Sequence, residues 1–181
     1  MPVLIGLLRG VNVGGKNKIK MDALRDLCGS LELRGPVTHL NSGNVVFEAP
    51  ARAVPKLAAR MESAIESACG FRTNVILRTA AEFAAVIERN PFAGRELDPA
   101  KVLVYFVGGE VSAEARTKIS AITGVPEEVR ITACELYIHF AIGMARPKLS
   151  LASIDRALKA PATGRNWNTV LKLLEIAQSL E

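Results

Sequence analysis

Aromatic side chains are scarce in this 181-residue chain, and long apolar runs are missing. Only 5% of its residues are aromatic, and they form no string of the kind that RNA-binding sheets use to stack bases. No apolar run approaches the roughly 18 residues that indicate a transmembrane helix. The N-terminus shows no basic segment followed by a small-residue cleavage site. We therefore expect no export signal and no membrane partner.

Cysteine and histidine are also few. Cys28, Cys69 and Cys134 are odd in number, widely spaced and without a CxxC pair, so they predict buried thiols in a reduced, cytoplasmic setting. The two histidines, His39 and His139, form no ligand motif with cysteines or carboxylates. We expect no metal site, and the residues name no cofactor.

Charge is distributed unevenly along the chain, whose formal net charge is +5. Residues 1–25 carry five cations against one carboxylate, and residues 143–172 carry six against one. Residues 80–142 carry six cations against nine carboxylates. Two positive blocks thus flank an acidic middle, a pattern that attracts anions if the blocks meet in space.

Apolar periodicity predicts the order of elements in the first half. Apolar residues recur at three- and four-residue steps from Met21 and across 54–68, as on one face of a helix. Short apolar runs bounded by turn residues predict strands at 3–8, 37–40, 45–48 and 73–78. This β-α-β-β-α-β order is that of a ferredoxin-like unit.

The second half repeats the pattern after a helix over 80–89 that stops at Asn90-Pro91. Strands are predicted at 101–107, 129–132 and 136–141, with helices at 113–122, from Ser150 to about 159, and at 167–179. We place a boundary in the polar loop that follows Pro91, giving domains 1–92 and 93–181. The predicted fold class is α+β, with two ferredoxin-like subdomains in tandem and a C-terminal helix.

Three segments coincide in this chain: LRGVNVGGK at 8–16, SGNVVF at 42–47 and TGRNWNT at 163–169. Together they resemble the bacterial family called domain of unknown function 1697, and the resemblance runs over nearly the whole chain. It implies a cytoplasmic α+β protein with ferredoxin-like halves. It supplies no activity and no catalytic residues, so whether the protein is an enzyme stays open.

The stretch from Arg9 to Lys18 is rich in glycine, asparagine and cations. Its Gly10-x4-Gly15-Lys16 spacing is one residue from a nucleotide-binding P-loop, but Asn17 lacks the hydroxyl that would bind Mg²⁺. The amphipathic segment begins only near Met21, whereas a P-loop leads directly into its helix. Two interpretations remain open: a phosphate-binding nest of backbone N–H groups, or a tight strand-to-helix loop whose asparagines cap backbone groups.

A second candidate segment precedes the last helix. Asn166 is a candidate N-cap, which would place Arg165 just outside a helix N-terminus, where an anion is favoured. Our leading hypothesis joins this segment to the Arg9–Lys18 stretch in a basic cleft for a phosphate- or carboxylate-bearing ligand. The candidate ligand-binding residues are Arg9, Asn12, Gly14, Gly15, Lys16, Arg165, Asn166 and Asn168.

Two other functions stay open at this point. Weak, sequence-nonspecific nucleic-acid binding needs only cations and loop amides. A structural or interaction protein would use the same loops to lock the two halves together. The residues do not specify an oligomeric state.

Overall fold

The computed structural model describes all 181 residues, which form two compact units. The first unit comprises Met1–Ala85 and Lys172–Glu181, and the second comprises Val86–Leu171. The elements of the first unit, in chain order, are β1 (Val3–Leu8), α1 (Met21–Ser30), β2 (Arg34–His39), β3 (Asn44–Glu48), α2 (Val54–Cys69) and β4 (Val75–Thr79).

The first unit has one antiparallel sheet of order β2-β3-β1-β4, the ferredoxin-like arrangement. The central strand β1 pairs with β3 through Ile5↔Val46 and with β4 through Gly6↔Leu77. Every residue of β1 is buried. Burial on both faces explains why this strand is a continuous apolar run instead of an alternating one.

The helices of the first unit bury the apolar stripes that the sequence indicated. Leu24, Leu27 and Cys28 of α1 join Leu57, Met61 and Ile65 of α2 in one core cluster with the sheet. Helix α2 ends at Gly70, which has a φ of +74° and donates its N–H to Glu66. A left-handed glycine at this position is a common helix stop.

The second unit repeats the order of the first. After α3 (Ala80–Glu88), in which the boundary between the units falls, come β5 (Val102–Val107), α4 (Ala113–Ser120), β6 (Glu128–Ile131), β7 (Glu135–His139), α5 (Leu151–Leu158) and β8 (Ala162–Asn166). The last helix, α6 (Trp167–Ser179), follows β8 directly and contains the second boundary. The sheet order is β6-β7-β5-β8, again ferredoxin-like.

The predicted fold class is therefore confirmed: an α+β chain with two tandem ferredoxin-like units and a C-terminal helix. One element differs from the prediction. No strand was predicted between the helix ending near 159 and the helix at 167–179, but Ala162–Asn166 form strand β8 and pair with β5. The domain limits 1–92 and 93–181 stay a prediction. None of the helices has the length and apolar character needed to cross a bilayer.

Candidate functional site

The loop between β1 and α1, residues 9–20, contains a tight hairpin. Val13 and Lys16 form an isolated bridge, and Lys16 N–H donates to the Val13 carbonyl at 3.0 Å. The two residues between them, Gly14 and Gly15, have φ values of +57° and +75°. Positive φ at both central positions is typical of a type I′ turn, which glycine adopts without strain. The loop is therefore a hairpin, and the helix begins only at Met21.

Two asparagines hold the β1–α1 loop in shape. Asn12 accepts the Ile19 N–H at 2.9 Å and donates to the carbonyls of Ile19 (2.9 Å) and Asn41 (2.7 Å). Asn17 donates from its side chain to the Gly10 carbonyl at 3.1 Å, and its own carbonyl accepts Asn12 N–H. Both asparagines have positive φ, a conformation that asparagine tolerates better than most residues. The capping role is thus present in the structure.

The turn between β2 and β3 packs directly against this loop. Leu8 N–H donates to the Gly43 carbonyl at 2.8 Å. Gly43 has a φ of +77°, and a Cβ at this position would lie 2.5 Å from Val11 Cγ2. The SGN motif is therefore a hairpin turn, and its glycine is required by a close approach.

Three cations of the loop have no ion-pair partner. Lys16, Lys18 and Lys20 are exposed and make no contact with a carboxylate, whereas Asp22 is paired with Arg25. The amides of Gly14 and Gly15 likewise donate to no protein acceptor. Beside them lies an open groove of about 570 Å³, which we call the lysine groove, lined by Asn12, Gly15, Lys18, Ile19, Lys20 and Asn41.

Arg9 begins the loop and is half-buried. Its backbone is held to the start of β4, because its N–H donates to the Asn74 carbonyl at 2.9 Å and its carbonyl accepts from the Thr73 hydroxyl at 2.7 Å. The loop is thus anchored to the sheet at its first residue, at the same sheet end as the β2–β3 turn.

Arg165 has a different environment from the one that the sequence suggested. It lies in β8 opposite Val104, and only 6% of its surface is exposed. Its guanidinium donates to the Thr163 hydroxyl and to the Gly164 carbonyl, both at 2.8 Å. Burial lowers the pKa of Arg165 to about 10, because desolvation disfavours the charged form. The side chain is therefore buried, and not exposed beside a helix N-terminus as expected.

Asn166 and Asn168 differ in their surroundings. Asn166 accepts the Thr169 N–H at 2.9 Å, so its predicted role as N-cap of α6 is confirmed. The Asn168 side chain is exposed and makes no hydrogen bond. The 9–20 loop and these residues belong to different units, and their joint participation in one site stays a prediction.

Lys20 and Asn41 were not named from the sequence, and Lys18 was included only as the end of the Arg9–Lys18 stretch, although all three line the lysine groove. The signal in the sequence was a lysine at every second position from Lys16 to Lys20. Neither histidine lies in this groove: His39 ends β2 and His139 ends β7. Burial and the charge of Lys172 lower the pKa of His39 below its usual value. No group of three His, Cys, Asp or Glu side chains is placed to hold a metal ion.

The geometry defines an α+β protein of tandem ferredoxin-like units with a basic loop at one sheet end. The chain matches the family described as "Protein of unknown function (DUF1697)" over residues 1–137, and it belongs to this family. A solved structure, the conserved bacterial protein SP0830 from Streptococcus pneumoniae, is 24% identical, with a TM-score of 0.72 over 97% of this chain and 98% of that chain. This likeness supports the fold alone. No curated protein matches the chain.

Proposed function

We propose that the protein binds an anionic ligand, carrying phosphate or carboxylate groups, in the lysine groove. One observation carries the proposal: Lys16, Lys18 and Lys20 have no carboxylate partner, and two of them line the groove. Surface lysines are commonly solvated, but three like charges within five residues repel one another. A bound anion would relieve that repulsion. This gain favours the binding of negative groups by the loop.

The fixed shape of the loop supports binding because a loop that is already ordered loses little conformational entropy when a ligand binds. Asn12 and Asn17 hold the loop without using the lysines, so the three ammonium groups stay available. Each ammonium group offers three donors to a phosphate or carboxylate oxygen. Gly14 and Gly15 expose amides that would add uncharged donors close to the anion. Arg9, at the start of the loop, would add a further positive charge.

Participation of the second candidate segment, which contains Arg165, Asn166 and Asn168, in anion binding is a separate hypothesis. If Arg165, Asn166 and Asn168 share the site, the exposed Asn168 is the residue to test. Its replacement by alanine breaks no hydrogen bond and should leave the fold intact. Weaker anion binding by Asn168→Ala would support the joint site, and unchanged binding would restrict the site to the β1–α1 loop.

A thermal-shift panel of inorganic phosphate, pyrophosphate, nucleotides, sugar phosphates and carboxylates tests the proposal. A ligand at 100 times its Kd stabilises a protein by about 2.7 kcal/mol, which is readily seen as a rise in Tm. We expect at least one anion to raise the Tm of the wild type and to lose this effect in the Lys18→Ala/Lys20→Ala variant. A panel without any shift, or a shift kept in that variant, would refute the proposal.

The same three lysines also favour a second candidate, weak nucleic-acid binding. That mode depends on counterion release, so its affinity falls linearly with salt on a logarithmic plot. Three phosphate contacts on a single strand predict a slope of about −2. Oligonucleotides that bind with this slope, while pyrophosphate does not bind, would favour the second candidate.

A cytoplasmic setting is part of the same proposal. The three cysteines form no disulfide, and reduced thiols are usual in the cytosol. Alkylation of the thiols in denaturant, directly after cell lysis, would test this setting. Full alkylation without prior reduction is the expected result.

A further inference from the structure

The edge strand β6 of the second unit directs the backbone N–H and carbonyl groups of two residues away from its sheet. It pairs only with β7, in the register Val129↔Ile138 and Arg130↔Tyr137. In an antiparallel pair, alternate residues exchange hydrogen bonds with the partner strand. Since Thr132 N–H donates to the Glu135 carbonyl at the hairpin end, the alternation assigns ladder bonds to Arg130. The backbone of Val129 and Ile131 therefore faces away from the sheet.

Hydrogen bonds from side chains to the Val129 and Ile131 carbonyls agree with this outward direction. The Ile131 carbonyl accepts from Arg116 at 3.1 Å, and the Val129 carbonyl accepts from Arg130 at 3.3 Å. The N–H groups of Val129 and Ile131 have no protein acceptor. The rise of a strand places these two donors about 6.7 Å apart. This spacing matches alternate carbonyls of another extended chain.

A groove of about 300 Å³ runs beside the same strand, next to the end of α4. Its aliphatic walls come from Ile119, Ile122, Val125, Val129, Ile131 and Leu149. Its carboxylates are already engaged. Glu127 accepts the backbone N–H groups of Lys148 and Leu149, and Glu128 pairs with Arg95 and Arg130. The groove suits an uncharged aliphatic side chain.

The corresponding edge strand of the first unit lacks these features. Strand β2 contains Pro36, which has no N–H, and its register shifts between Arg34 and Val37. Gly35 has a positive φ of +56°. Proline and irregular pairing are devices that prevent an edge from pairing with another strand. Strand β6 has neither a proline nor a register shift.

We propose that β6 binds an extended peptide segment of a partner protein by strand addition. The Val129 and Ile131 N–H groups donate to peptide carbonyls, and one aliphatic side chain of the peptide enters the groove. Arg116 places a positive charge at the end of β6, so an acidic residue of the peptide is favoured there. The peptide displaces the exposed Arg130 guanidinium from the Val129 carbonyl and one Arg116 nitrogen from the Ile131 carbonyl, while Arg116 stays beside the Thr132 carbonyl. This surface is independent of the lysine groove, which belongs to the first unit.

Panning a phage-displayed library of random peptides against the full chain tests the proposal. The enriched peptides should alternate aliphatic and polar residues and include an acidic residue. Val129→Pro removes an outward N–H without removing a ladder bond, and proline is tolerated at such edge positions. Val129→Thr keeps the N–H and is the matched control. We expect Val129→Pro to weaken binding of the best synthetic peptide at least tenfold, and Val129→Thr to change it less than threefold.

Amide hydrogen exchange of the wild type gives a readout that does not depend on a variant. The peptide should slow exchange at Val129 and Ile131, whereas Arg130 is already protected by its ladder bond. The proposal is overturned if no peptide is enriched, if Val129→Pro binds normally, or if protection appears elsewhere. Protection of Val129 and Ile131 that grows with protein concentration alone would identify a second copy as the occupant and would also overturn it.

Discussion

Asn12 and Ile19 exchange two hydrogen bonds across the β1–α1 loop, each 2.9 Å long. Asn12 accepts the Ile19 N–H and donates to the Ile19 carbonyl. This pair closes a loop whose exposed tip carries a lysine without an ion-pair partner. The asparagine holds the loop in shape, and the lysines take no part in holding it. The proposed binding function depends on this division of roles.

Replacing Asn12 should destabilise the protein even though the residue is only partly buried. Asn12→Gly keeps the left-handed conformation and loses three side-chain hydrogen bonds, at a cost of about 2 kcal/mol. Asn12→Ala loses the same bonds and adds about 1 kcal/mol for positive φ. Urea unfolding measures both values. Equal stability of Asn12→Gly and the wild type would show that the asparagine side chain does not hold the loop.

Gly43 should be far less replaceable than Gly14, although both have positive φ. The new Cβ of Gly43→Ala would lie 2.5 Å from Val11 Cγ2 and 2.7 Å from Leu8 Cβ, whereas Gly14 faces open space. We expect Gly14→Ala to cost about 1 kcal/mol and Gly43→Ala about 3 kcal/mol, the difference being steric. Thermal or urea unfolding of the two variants checks this. Similar losses would contradict the close approach of the turn to the loop.

Cys28 should be the slowest of the three thiols to react with Ellman's reagent at pH 8. Burial raises its pKa to about 12, so the reactive thiolate is absent, while Cys69 and Cys134 are only half-buried. Two thiols should react in the folded protein and all three in denaturant. In a Cys69→Ser/Cys134→Ser control no rapid reaction should remain, and a rapid signal there would contradict the burial of Cys28.

The raised pKa of Cys28 also predicts a loss of stability at alkaline pH. An unfolded cysteine ionises near pH 8.5, but the folded Cys28 stays protonated to about pH 12. Above pH 9 the unfolded state therefore binds fewer protons, and the free energy of unfolding falls as the pH rises. Cys28→Ala should show a smaller decline between pH 8 and 10 than the wild type. An identical decline would exclude Cys28 as its source.

Periodicity predicted the two ferredoxin-like units because their helices and central strands carry strong apolar patterns. It missed β8, whose sequence, Ala-Thr-Gly-Arg-Asn, has weak strand preference. This strand forms through pairing with β5, and strand preference depends strongly on such tertiary context. The error carried over to Arg165, which looked exposed as part of a polar loop but is buried in that strand.

The candidate site was predictable only in part. Composition located the β1–α1 loop, and the asparagines were correctly considered as capping residues. Whether Lys16, Lys18 and Lys20 are paired depends on distant carboxylates that a local pattern does not show. The outward N–H groups of Val129 and Ile131 depend on the hairpin register, which no sequence period specifies.

Calorimetric titration with inorganic pyrophosphate tests the central claim most directly. The wild type should bind, and Lys18→Ala/Lys20→Ala should bind at least tenfold more weakly at unchanged Tm. Lys56→Ala/Arg60→Ala is the matched control, because it also removes two charges. Both side chains are exposed and unpaired, but they lie in α2, which follows the end of β3 opposite to the β2–β3 turn. It should bind pyrophosphate as the wild type does. Equal affinity in all three proteins, or no saturable binding at about 10 mM pyrophosphate, would contradict the account.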